Sequence, residues 1–208
     1  MGRGKFIVLE GIDGSGKSTQ AKLIADYLKE HGHPTILTFE PTKGPIGAMI
    51  RSIFSHTMQA DQHTIAGLFL ADRFEHILNP EDGMLATLEK GINIVCDRYY
   101  FSSYAYHSVY MPVEWVIAAN SRAAELLRPD LALYVKVSPE TSMARINANR
   151  THIEMYETID NLRLVENNYK RAFELVQGTE NIVAINGEQT QDQVFEAAII
   201  EVKKVLGI

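Results

Sequence analysis

The stretch Phe6-Ile7-Val8-Leu9-Glu10-Gly11-Ile12-Asp13-Gly14-Ser15-Gly16-Lys17-Ser18-Thr19 decides the fold. Four apolar residues lead straight into a glycine-rich segment. Beyond Lys17, residues Ala21, Ile24, Ala25 and Leu28 recur at helical spacing. Gly11-x-x-x-x-Gly16-Lys17-Ser18 is a complete phosphate-binding loop pattern, and it lies between a strand and an amphipathic helix, the setting the pattern requires. Glycines at 11, 14 and 16 let the backbone curl so that its N–H groups converge on phosphate oxygens. The helix that starts near Lys17 adds its positive dipole end. Lys17 is then placed to bridge terminal phosphates, and the Ser18 hydroxyl to ligate Mg²⁺.

Working outward, further apolar runs occupy Thr35–Phe39, Ile92–Cys96, Leu131–Val137 and Ile182–Ile185. None alternates with polar residues, which predicts strands buried on both faces of a parallel sheet. Helical patterns fill the intervals. Gly32 and Pro34 stop the first helix. Asn79-Pro80 predicts a helix start with Gly91 closing the segment, and Pro112 opens another helix that ends before Pro129. Ile159, Leu162, Tyr169, Phe173 and Val176 form one apolar stripe; Val194, Ala198, Val202 and Val205 form the last. Alternation of this kind predicts an α/β fold, a five-stranded parallel sheet with helices on both faces and the strand C-terminal ends on one edge. No repeat or linker divides residues 1–208, so one domain is expected.

Composition limits what such a chain can do. It has 208 residues, 46% of them hydrophobic and 22% charged, as in globular proteins generally. A formal charge of −6 argues against coating a nucleic acid polymer, which needs a basic face. Cys96 is the sole cysteine and reads as a small core hydrophobe, so no internal disulfide forms. No run approaches the roughly 18 apolar residues that span a bilayer. A cytoplasmic location is the expectation.

Ile92–Cys96 ends in Asp97, where a parallel sheet delivers a carboxylate beside the phosphate loop, suited to holding Mg²⁺ directly or through water. Arg98 follows at once, and the pair alone reads equally as a surface ion pair. The Asn-Lys-x-Asp sequence of guanine-reading switches is absent, and the chain is short for a motor, which leaves small-molecule kinases.

Several stretches resemble the thymidylate kinase family. Glu10–Thr19 looks like its P-loop, with an acidic residue third in the loop. Leu68-Phe69-Leu70-Ala71-Asp72-Arg73 is similar to its nucleoside-binding helix, and Asp97-Arg98-Tyr99-Tyr100-Phe101-Ser102-Ser103-Tyr104-Ala105-Tyr106 to its central signature. Leu131–Val137 with Ser138-Pro139-Glu140, Arg145 and Glu154-Met155-Tyr156-Glu157 resembles the run into and through that family's lid, here about 143–157. The resemblance implies a three-layer P-loop kinase fold, a homodimer, and ATP-dependent, Mg²⁺-assisted conversion of dTMP to dTDP. It implies that Gly11, Asp13, Gly14, Ser15, Gly16, Lys17, Ser18, Thr19 and Arg145 attend ATP, with Ser18 and Asp97 at the metal. Phe69 would stack on the acceptor base. Phe69 and Arg73, at i and i+4, share a helix face, so the ring suits a base and the guanidinium fork suits phosphate. Arg98 would be a second arginine there, Ser102 and Ser103 polar contacts near the base, Tyr106 the ring that crowds a ribose 2′ position, and Asp13 a neighbour of the 3′-hydroxyl.

The chain also departs from the pattern. Phe39 stands where many bacterial relatives have arginine, with Lys43 as the nearby substitute; Gly14 and Met155 stand where eukaryotic relatives have arginines. The charge then falls to a lid whose arginines are Arg145 and Arg150, and Arg150 is expected to close on ATP. Lys17, Arg98, Asp97 and Arg150 are thus the expected catalytic set. His107 reads either as an acceptor contact or as a partly exposed helix-end histidine. His31 and His33 read as solvated surface, and Trp115 as core or interface. Two alternatives stand beside the leading reading: a kinase for another nucleoside or nucleoside monophosphate, with Asp97 or Asp13 as base, and a nucleotide-gated binding protein.

Overall fold

A computed structural model describes residues 2–149 and 158–208. Five strands, β1 (Phe6–Glu10), β2 (Thr35–Phe39), β3 (Asn93–Asp97), β4 (Leu131–Lys136) and β5 (Ile182–Asn186), form one parallel sheet in the order β2-β3-β1-β4-β5. The described helices are α1 (Lys17–Glu30), α2 (Pro45–Phe54), α3 (Gln62–Leu78), α4 (Met84–Glu89), α5 (Tyr100–His107), α6 (Val113–Leu126), α7 (Pro139–Asn149), α8 (Ile159–Leu175) and α9 (Gln191–Leu206).

Side chains of β1 alternate between two cores. Phe6 and Val8 pack with Cys96, Tyr100, Leu162 and Tyr169 on the face covered by α3, α5, α6 and α8. Ile7 and Leu9 face the other way, onto Ile24, Leu28, Ala198 and Val202 of α1 and α9. Three layers with an apolar core on each face of the sheet result, as the continuous runs of β1, β3 and β4 require. The outer strands depart from expectation: Leu37 and Phe39 of β2 are exposed, and β5 buries only Ile185 fully. Both lie at sheet edges, where one flank has no neighbour to cover it.

Helix ends follow local chemistry with one correction. Asp61 caps α3 by accepting from His63 N–H, and Thr190 and Gln193 form a reciprocal capping box on α9. Asn79-Pro80 does not open α4, which starts at Met84. The residue before a proline is pushed out of the helical region, so Asn79 closes α3, and its Oδ1 accepts the Glu81 N–H at 2.9 Å. Register then fixes the site: Leu9 pairs with Asp97, which also pairs with Phe39, so three strand ends open on one edge.

Candidate active site

The three strand ends feed a cleft of about 1290 Å³, larger than the roughly 300–1,000 Å³ of a pocket for one small ligand. Its centre is the loop after β1. Gly16 has φ +94, a left-handed turn that an L side chain rarely adopts, and α1 starts immediately after it. Over Gly14, with φ +75, a Cβ would stand 2.6 Å from the Ser142 carbonyl oxygen, because α7 packs onto the loop there. The Ser142 hydroxyl donates to the Asp13 carbonyl, and Ile146 closes the remaining space.

Lys17 is buried, with Nζ 3.4 Å from the Ile12 carbonyl and 3.8 Å from the Asp13 carboxylate. Burial pushes its ammonium below the usual lysine range; Arg98 acts in the same sense, while Asp13 and Asp97 pull against both. Such a cation is short of negative charge, which phosphate oxygens would supply. Ser18 and Thr19 face the cleft. Ser15 Oγ has no hydrogen-bond partner among the described residues.

Asp13, Arg98 and Tyr106 meet on the next wall. Arg98 donates through Nη2 to Asp13 Oδ1, and Tyr106 donates to Asp13 Oδ2 at 2.8 Å. Arg98 Nη1 donates to Ser102 Oγ at 3.1 Å, and its backbone adopts φ +73, a strained conformation of the kind concentrated at functional sites. Ser102 is held from behind by Glu10, whose carboxylate accepts from Ser102 Oγ at 2.6 Å, Tyr169 OH at 2.8 Å and the Tyr99 N–H at 2.8 Å. Burial raises the Glu10 carboxyl above the usual range, opposed by these bonds and by Arg98.

Phe69 lines the far wall with His107, their ring centroids 5.3 Å apart. His107 is 4% exposed, so the partly exposed alternative does not hold. Burial, then the Arg73 charge, depresses its pKa to about 3, and the ring is neutral. Arg73 differs from expectation. It is 1% exposed beneath the wall, where Nε and Nη2 donate to Glu40 Oε2 at 2.9 and 2.7 Å, and Nη1 donates to Ser103 at 3.1 Å and to Asn120. A buried guanidinium needs a carboxylate partner, and Glu40 takes the fork that the helical spacing aimed at a phosphate.

Asp97 sits at the end of β3 beside the loop. Its carbonyl accepts the Glu40 N–H at 3.1 Å, and its buried Oδ1 has no partner among the described residues. No three His, Cys, Asp or Glu side chains gather to hold a metal among those residues. One carboxylate and one hydroxyl nevertheless suit Mg²⁺, which keeps several waters and takes the rest of its shell from substrate phosphates. Arg145 spans the opposite end, donating to the Ser15 carbonyl at 3.2 Å and the Gly187 carbonyl at 2.9 Å. Arg150 and Met155 lie outside the described residues.

Lys43, the nearby substitute expected for an arginine at Phe39, is not among the residues that line the cleft, and its ammonium lies 5.8 Å from the centre of the Phe39 ring. Arg51 of α2 lines the cleft instead, held by the Pro41 carbonyl at 3.1 Å and by the Thr42 carbonyl. Sequence reading passed over Arg51, Glu10 and Ser142. Glu10 had left one signal, a carboxylate closing an otherwise apolar strand.

Among the described residues no helix is long and apolar enough to cross a membrane. The family model described as Thymidylate kinase matches residues 9–198. A probable thymidylate kinase of Pyrococcus horikoshii is 40% identical over 179 residues, covering 83% of this chain and 84% of the relative. One from Pyrococcus abyssi is 37% identical, covering 99% and 100%. The thymidylate kinase of Desulfotalea psychrophila is 35% identical, covering 98% and 96%.

Proposed function

The chain belongs to the thymidylate kinase family, and from that premise we propose how its residues carry phosphate from ATP to dTMP. It is a nucleoside monophosphate kinase that makes dTDP. The observation that carries the assignment is the Asp13–Arg98–Tyr106 contact, which joins the phosphate loop to the aromatic wall of the same cleft.

The loop from Gly11 to Thr19 cradles the ATP phosphates, and Lys17 gains from them the negative partners that offset its burial. The dTMP base stacks on Phe69 beside the neutral His107, with Ser103 and the Arg73 behind it at the base end. Arg98 leaves Asp13 to hold the acceptor phosphate, and the freed Asp13 meets the sugar 3′-hydroxyl while Tyr106 fills the 2′ side. The dTMP phosphate is largely dianionic at neutral pH, so its oxygen attacks without a general base. What remains is to bring two anions into line and offset their charge. Lys17, Arg98 and, from the lid, Arg150 supply cations. Ser18 and Asp97 would hold Mg²⁺, which when bound would offset negative charge on the phosphates.

The same reading takes the chain as one domain in the cytoplasm, acting as a homodimer. Trp115 supports a dimer: it is 47% exposed on α6, with its ring centroid 6.2 Å from that of His63.

ADP release measured with dTMP, dUMP, the ribose analogue of dTMP, thymidine and no acceptor tests the whole assignment. Fastest turnover is expected with dTMP. Faster turnover with thymidine would replace it by a nucleoside kinase, and ATP binding without acceptor-dependent turnover would point to a gated binding protein.

A further inference from the structure

Four buried side-chain atoms lack a hydrogen-bond partner among the described residues: Ser15 Oγ, Asp97 Oδ1, Ser108 Oγ and Gln20 Oε1. The first two belong to the phosphate and cation machinery. Ser108 closes α5 and does not line the cleft. Gln20 does line it, is 3% exposed, and has no place in the transfer described above.

The two ends of its amide have different surroundings. Nε2 donates to the Gln191 carbonyl at 2.9 Å, tying α1 to the start of α9. An oxygen in that position would face another oxygen, so the amide can be oriented one way only, and Oε1 is an acceptor with nothing to accept. A buried polar atom left in that state is costly, and the ligand that supplies its partner binds more tightly by that amount.

Which ligand this is follows from the layout, given the kinase assignment on which it rests. The acceptor wall, with Phe69, Ser103 and His107, lies toward β2. The ATP phosphates lie over the loop. The donor's nucleoside therefore extends the other way, toward β5, where Arg145, Gly187 and Gln191 line the cleft beside Gln20. We propose that Gln20 Oε1 reads the donor base by accepting a hydrogen bond from the exocyclic amine of adenine. A 6-keto purine would set two oxygens against each other there, and an unsubstituted purine would leave Oε1 unsatisfied.

The test compares ATP, ITP and purine riboside triphosphate as donors, by kcat/KM at saturating dTMP and by calorimetric binding without acceptor. The wild-type protein is expected to favour ATP over purine riboside triphosphate by about tenfold or more, the cost of one unmade buried bond, with ITP at least as weak. In Gln20→Leu the ATP-to-purine riboside ratio should collapse toward one. Equal use of the two donors by wild type would overturn the proposal. So would an unchanged ratio in the variant with both donors weakened alike, which marks a tether between helices and nothing more. If the variant does not fold, the wild-type donor series decides. Failure of the kinase assignment looks different: no dTMP-dependent turnover with any donor, while calorimetry still reports whether the amine is read.

Discussion

The Tyr106 hydroxyl donates to Asp13 Oδ2 at 2.8 Å and accepts the Asp13 backbone N–H at 3.1 Å. One phenol thus holds both the side chain and the backbone of the third loop residue. Tyr106→Phe removes both bonds and keeps the ring. With one bond to a carboxylate lost, kcat/KM for dTMP should fall by about ten- to a hundredfold, while discrimination against the ribose analogue, which depends on the ring, stays near wild type. Steady-state kinetics with both acceptors check this. Loss of discrimination at unchanged dTMP activity would contradict it.

His107 makes stability pH-dependent. Its pKa is near 6.5 in the unfolded chain and about 3 in the fold, through burial and the Arg73 charge. Above pH 6.5 both states are neutral there and the histidine adds no dependence. As pH falls from 6.5 toward 3 the unfolded chain binds the proton first, so the fold loses stability, by about 2 kcal/mol at pH 5. Urea unfolding of wild type and His107→Gln at pH 7 and pH 5 isolates this slope. The variant should lose less stability on acidification; identical losses would remove the assignment.

Glu40→Gln leaves the Arg73 guanidinium buried without its carboxylate and costs about 3–5 kcal/mol. Pairing it with Arg73→Met should recover much of that stability, because the stranded charge is gone. Denaturant unfolding of the three variants forms the cycle. Additive losses would mean that the pair is not coupled.

Arg98 combines chemistry with an unfavourable backbone. Arg98→Ala and Arg98→Gly should both lower kcat by at least about a hundredfold, since each removes a cation from the transferring group. Their stabilities should differ: φ +73 suits glycine, so the Gly variant should be about 1 kcal/mol the more stable. Thermal unfolding of the two decides, and a more stable Ala variant would refute the strain.

The phosphate loop was legible because its chemistry is local, with glycine positions, a leading strand and a trailing helix all within one short stretch. Asp97 was legible for a similar reason, since an apolar strand must end somewhere and parallel neighbours end together. Arg73 was not. Its i, i+4 relation to Phe69 fixes a face, but the partner that closes its fork, Glu40, comes from a different strand end that no local spacing identifies. The edge strands show the same limit: their composition matches that of the inner strands, and the number of neighbours is a property of the sheet. Arg51 went unread because α2 carries its charge at the rim of a cleft that exists only once β2 and α2 are assembled.

The Ser142 carbonyl above Gly14 sets a rule for how this sequence can change. A side chain at 14 and the present seat of α7 cannot coexist, since the first carbon alone would lie 2.6 Å from that oxygen. Relatives that carry an arginine in the loop are therefore not one substitution away from this chain. Because that oxygen belongs to the backbone, no exchange of the residue at 142 removes it, and α7 itself has to move. Lineages of the two designs would be separated by a valley in fitness, and a graft of loop arginine without a reshaped α7 should fail in the laboratory for the same reason.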